Sequence, residues 1–175
     1  MSTSPLFPGH RVWLSAKAPP LQLSSPQLDV IEDQISDGVR VTRLRLMPPA
    51  DTRILNLQAE PSTTVVAATV NGNRLRYDSQ TRGPGQQRGW ELSYFAVPAN
   101  GFELIVETLP AAPLKVTLSA FSDGLPTTAL TLLKTRPAHL MPARFSDMTS
   151  VVKTFDLGAI ASSSVSSTDL HPPNR

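Results

Sequence analysis

The sequence predicts an all-β fold, a β-sandwich or jelly roll of about eight short strands. Three observations carry that prediction. Apolar and polar residues alternate with a period of two over many short segments. Turn signals recur about every ten residues between them. Seventeen prolines and nine glycines are scattered through the 175 residues, which leaves no room for long helices. The expected organisation is a Pro-rich arm over residues 1–26, a sandwich domain over 27–157 and a disordered Ser/Pro-rich tail over 158–175.

In the arm, proline-spaced extended segments flank a short apolar run, Val12–Leu14, whose Trp13 either anchors a free arm or docks on the domain. Gln27–Gln34 reads as the first strand, with Leu28, Val30 and Glu32 on one face. Ser36-Asp37-Gly38 is a hairpin turn, because Asp-Gly accepts the positive φ angles that such turns need. Val39–Met47 follows, with Leu44 and Leu46 alternating against Arg43 and Arg45. Val39 and Val41 fall on the opposite phase, which predicts a bulge or two-sided burial near Thr42.

Thr52–Glu60 is the third strand, with Leu55, Leu57 and Ala59 in phase. Val65–Val70 is the fourth, and Asn71-Gly72 turns it into a partner over Arg74–Tyr77. Ser79–Arg88 is a loop, since its glycines precede no Gly-Lys-Ser/Thr and no helix. Trp90–Ala96 places Trp90, Leu92 and Tyr94 on one face and Glu91, Ser93 and Phe95 on the other. After the Pro98–Gly101 turn, Phe102, Leu104, Val106 and Thr108 alternate with Glu103, Ile105 and Glu107. Val116, Leu118 and Ala120 repeat the pattern beyond a turn at Pro110–Pro113. Thr127–Lys134 is either one helical turn or an irregular edge, and Ser150–Phe155 is the last strand.

Charge excludes little by itself: 16 Lys and Arg against 14 Asp and Glu give a net charge of +2. Its placement is uneven. Asp29, Glu32, Asp33 and Asp37 lie together without a base, and eight arginines between Arg40 and Arg88 face only three acids. A nucleic-acid surface is one reading of those arginines. Solvent-facing arginine alternating along strands is the reading adopted, because few aromatic residues interleave to stack on bases. No nucleic-acid partner is expected.

The absence of cysteine removes disulfides, thiolate zinc sites and cysteine nucleophiles. No apolar run reaches the roughly 18 residues of a membrane helix. The start, MSTSPLFPGH, lacks the basic and apolar regions of a signal peptide, so an extracytoplasmic location calls for an upstream carrier.

Candidate chemistry is sparse. His10, His139 and His171 show no metal-ligand pairing, and Gly-x-Ser-x-Gly is absent. Ser150 and Lys153 match Ser-x-x-Lys but lack the companion motifs and the helix that this chemistry needs. Asp29, Glu32 and Asp33 lack the alternating oxygen ligands and central glycine of a calcium loop, and read as a solvated strand end. No catalytic residue, cofactor or metal ligand is assigned. The candidate ligand platform is Trp90 and Tyr94, joined by Arg43 and Arg45. The two rings share a face at strand spacing, which serves either as core, the reading adopted, or as a surface for sugar or peptide.

The order of segments resembles a known domain. WLSAKAPPLQLSSPQLDV is followed by DGVRVTRLRLMPP, VVAATVNGNRL, GWELSYFAVPANGFELIVE and LKVTLSAFSDGLP. The series closes on RPAHLMPARFSDMTSVVKTF, where Arg136-Pro137, Met141-Pro142 and Ser146-Asp147 precede the last strand. From about residue 12 to residue 156 this is similar to the C-terminal extracytoplasmic β-domain of membrane-bound M28-family (aminopeptidase-like) zinc peptidases. The resemblance implies a non-catalytic accessory domain. Zinc and catalytic carboxylate would belong to an upstream peptidase domain, joined through membrane helices. The implied partners are that peptidase and those helices, with self-association through edge strands such as Val65–Val70 as a further expectation. The alternative is a free-standing carbohydrate- or peptide-binding sandwich.

Overall fold

A computed structural model describes residues 21–75, 89–109, 113–127, 137–141 and 147–158. Nine strands occur among them: β1 (Gln27–Ser36), β2 (Val39–Met47), β3 (Thr52–Ala59), β4 (Val65–Val70), β5 (Asn73–Arg74), β6 (Glu91–Phe95), β7 (Phe102–Thr108), β8 (Lys115–Asp123) and β9 (Met148–Asp156). They form two antiparallel sheets, ordered β1-β2-β7-β4-β5 and β6-β3-β8-β9. This is the all-β sandwich expected. His10, His171, the Ser79–Arg88 loop, most of Thr127–Lys134 and the tail beyond Gly158 lie outside the described residues, as do residues 1–20 of the arm.

The core lies where the two alternating faces meet. Leu44 and Leu46 from β2, Phe102, Leu104 and Val106 from β7, and Ala68 and Val70 from β4 come from the five-stranded sheet. Leu55, Leu57 and Ala59 from β3, with Val116, Leu118 and Ala120 from β8, answer them from the other. Each fully buried Leu or Phe removes enough apolar area from water to contribute roughly 1.5–3 kcal/mol. Tyr94 of β6 stacks on Phe102 of β7, ring centroids 4.3 Å apart, and so ties the two sheets together.

Two hairpin turns obey the chemistry read from their sequences. Asp37 and Gly38 have φ of 50° and 75°, and Asn71 and Gly72 have 46° and 80°. Positive φ at both central residues marks the turn whose twist matches paired strands. The partner after Asn71-Gly72 pairs at Asn73 and Arg74, and Leu75 N–H donates to the carbonyl of Ala68 at 2.8 Å; residues 76 and 77 of the expected strand lie outside the described residues.

The irregularity expected near Thr42 sits in the neighbouring strand instead. β2 alternates without interruption, and the register of β1 against it shifts between Val30 and Glu32. Ile31 is the extra residue. Before it, Leu28 and Val30 oppose Leu46 and Leu44; after it, Asp33 and Ile35 oppose Thr42 and Arg40. Glu32 therefore leaves the face of Leu28 and Val30 and pairs with Arg43 on the outer side, while Asp33 turns inward. One bulged residue reverses the phase of everything beyond it.

Candidate functional site

The inward turn of Asp33 meets the one arginine among the described residues that departs from the solvent-facing expectation. Arg40 is fully buried, at 0% exposure. It lies on the core-facing side of β2, two residues before Thr42 and four before Leu44. Its Nε and Nη2 donate to the two carboxylate oxygens of Asp33 at 2.9 and 2.6 Å. Thr42 Oγ1 donates to the same carboxylate at 2.9 Å.

The remaining reach of the guanidinium crosses to the other sheet. Nη1 donates to the carbonyl of Gly158 at 2.6 Å, and Nη2 to that of Leu157 at 3.1 Å, just after β9 ends. Leu157 and Gly158 are in turn held by Leu114: Leu157 N–H donates to its carbonyl at 2.9 Å, and its N–H donates to Gly158 at 3.1 Å. Arg40 is thus a clasp between the first hairpin and the end of the last strand. The planar fork suits this role, since it meets a carboxylate side-on while still reaching two carbonyls.

Burial of the Asp33 carboxyl favours its neutral form. The hydrogen bonds from Arg40 and Thr42, with the charge of Arg40, outweigh that and hold it below the usual carboxylate value. The Asp33 side chain keeps 21% exposure, so the pair is buried on one side only. Thr108, opposite Arg40 on β7, is also fully buried, and its hydroxyl has no hydrogen-bond partner.

The other described arginines keep to the surface. Arg43 donates from Nε and Nη2 to Glu103 at 3.1 and 2.7 Å. Arg45 donates to the carbonyl of Asn100 at 2.6 Å, Arg74 pairs with Glu107 at 3.0 Å and Arg53 with Asp123 at 3.1 Å. Alternation alone could show that these arginines face outward. It could not show that strand β7 would bring its glutamates alongside.

The four residues of the candidate platform do not converge. Trp90 belongs to the core, at 6% exposure, and Tyr94 packs against that core through Phe102. Arg43 and Arg45 occupy the outer face of the other sheet, engaged with Glu103 and Asn100. A ring packed into the core offers no face to a sugar. Ser150 and Lys153 lie on strand β9 and not at a helix start. His139 is exposed in a turn.

Among the described residues no group of three or more His, Asp or Glu side chains is placed to hold a metal. Glu32 and Asp33 of the acidic segment point to opposite faces, which separates them as potential ligands. The clasp itself is a saturated arrangement. Each of its charges already faces an opposite charge or a carbonyl. No family model, curated protein or solved structure matches the chain.

Proposed function

We propose that this chain is a non-catalytic accessory β-sandwich, similar to the C-terminal domain of membrane-bound M28-type zinc peptidases. In this reading it supports folding, assembly or substrate access of an upstream peptidase domain. Zinc and the hydrolytic chemistry belong to that domain, and the sandwich stands on the extracytoplasmic face of the membrane. Its partners are the peptidase and membrane segments of the parent protein.

The observation that supports the reading is the use made of Arg40. The most deeply buried ionic centre among the described residues fastens the first hairpin to the last strand. Binding and catalytic centres leave charge or hydrogen-bonding capacity for a ligand. This centre directs its capacity inward.

Sequencing the source locus upstream of the Met1 codon tests the parentage. The expected result is a reading frame that runs back through several apolar helices to a His/Asp/Glu-rich peptidase domain. A stop codon directly upstream would overturn it. The purified chain should also hydrolyse no aminoacyl-anilide substrate in added zinc. Turnover abolished by a chelator and restored by zinc would refute the non-catalytic assignment.

A further inference from the structure

The chain between β8 and β9 leaves and returns at one point. Gly124 N–H donates to the carbonyl of Asp147 at 2.8 Å, and Thr149 Oγ1 donates to the carbonyl of Gly124 at 2.7 Å. Within that excursion, residues 137–141 (PAHLM) form a turn closed by Leu140 N–H, which donates to the carbonyl of Pro137 at 2.9 Å. All five residues are exposed.

A single exposed leucine on a surface is ordinary. Here Leu140, 51% exposed, is followed directly by Met141, which is 90% exposed, in a turn where small polar residues are the usual occupants. Phe95, 56% exposed, stands at the end of the four-stranded sheet from which the loop leaves. It pairs with Ile54, which pairs with Phe121, two residues before β8 ends. Met141, Phe95 and Leu140 are the three most exposed large apolar side chains among the described residues. They belong to one end of the small sheet and the loop rooted there.

Charge selects what such a tip meets. Residues 124–146 contain Lys134, Arg136 and Arg144 and no Asp or Glu. Arg136 adjoins Pro137, and Lys134 and Arg144 stand three residues from the tip on either side, at most ~11 Å along the chain. The acid that precedes this stretch, Asp123, is already paired with Arg53 at 3.1 Å. A soluble polyanion could engage the bases but would offer nothing to Leu140 and Met141. A bilayer with anionic headgroups over an apolar interior complements both.

We propose that residues 137–141 are a membrane-docking tip. Leu140 and Met141 enter the boundary between headgroups and acyl chains, and Lys134, Arg136 and Arg144 meet the lipid phosphates. The unbranched side chain of Met141 adapts readily to such an irregular apolar surface. The contact is peripheral and does not span the bilayer. It rests on no peptidase parentage, since vesicle binding by the purified chain and the upstream reading frame are separate measurements.

The full chain should co-sediment with vesicles of equal phosphatidylcholine and phosphatidylglycerol. With phosphatidylcholine alone it should bind about tenfold more weakly, and added salt should lower the difference. Leu140→Asp with Met141→Asp should weaken binding to the anionic vesicles about tenfold or more and leave the melting temperature unchanged, because neither side chain is part of the core. The chain has no cysteine, so Met141→Cys accepts a single environment-sensitive fluorophore. Its emission should shift to the blue on the anionic vesicles. The same label at Ser36→Cys should not shift, because that hairpin is fastened to the end of β9 away from the loop. No binding to the anionic vesicles overturns the proposal. So does binding that survives Leu140→Asp with Met141→Asp, which places the contact elsewhere, or equal binding to both vesicles, which removes the role of the bases. A blue shift at Met141→Cys that grows with protein concentration in the absence of vesicles assigns the tip to a second copy and also overturns it.

Discussion

Removing a guanidinium from water costs several kcal/mol unless its donors find partners in the fold. Arg40 donates to both oxygens of Asp33 and to the carbonyls of Leu157 and Gly158, which offsets that cost. The consequence appears when one partner is removed. Asp33→Asn leaves a buried cation without its counter-charge. The loss of unfolding free energy at neutral pH should fall near the lower end of ~3–5 kcal/mol, because Asp33 is still 21% exposed. The pH dependence has a definite sign. The Asp33 carboxyl is more acidic in the folded state, so its contribution is complete above the unfolded value near ~4 and fades as pH falls through the folded value. Urea midpoints measured from pH 7 to pH 2.5 should decline more steeply for the parent chain than for Asp33→Asn on the acid side. Parallel profiles would show that the ion pair contributes nothing through this titration.

At the scale of elements, the turns and the sheet faces were legible and the bulge was not. Asp37-Gly38 and Asn71-Gly72 carry their turn geometry in their own residue types, and both are present with positive φ. Phe102, Leu104, Val106 and Thr108 alternate in sequence and are all buried. The sequence around Val30-Ile31-Glu32-Asp33 has no glycine or proline to mark an inserted residue, and strict alternation put Glu32 on the wrong face. Arg40 escaped notice for the related reason that its neighbours Arg43 and Arg45 point outward, whereas its even position shares the phase of Leu44 and Leu46. The bulge reading makes a contrasting prediction for two single-residue deletions. Removing Ile31 joins Val30 to Glu32 opposite Leu44 and Arg43, so the register survives and the strand becomes regular. Removing Gln34 moves Asp33 out of phase with Arg40 and Thr42. Thermal melts should therefore show ΔIle31 within about 1 kcal/mol of the parent and ΔGln34 losing ~3 kcal/mol or more, comparable to breaking the clasp. Equal losses would refute the bulge as the source of the inward Asp33.

For the whole molecule, the strands could be read from the sequence but their order could not. Strand β7 pairs with both β2 and β4, and β3 pairs with both β6 and β8. These are contacts between distant segments, selected by packing and not by any local signal, and such topologies fold on the slow side for their size. Closure of the sandwich uses the last residues described: β9 pairs only with β8, and Leu157 and Gly158 then bond to Arg40 and Leu114. The chain end that matters for stability should accordingly be Gly158. A chain terminated after Gly158 should melt at the temperature of the full chain, within the change of about 0.5 kcal/mol expected away from such contacts. One terminated after Phe155 forfeits both carbonyls that Arg40 engages and both bonds to Leu114. Asp33 still faces the guanidinium, so the loss is that of these four hydrogen bonds at ~0.5–1.5 kcal/mol each, roughly 2–6 kcal/mol, which lowers the melting temperature of a chain this size by about 10 °C. If the two truncations instead lose stability equally, residues beyond 158 close the sandwich and Arg40 is not its fastening. The site and the fold are thus tested together, because the residue that sequence alternation left on the surface is the one that joins the chain's first hairpin to its last strand.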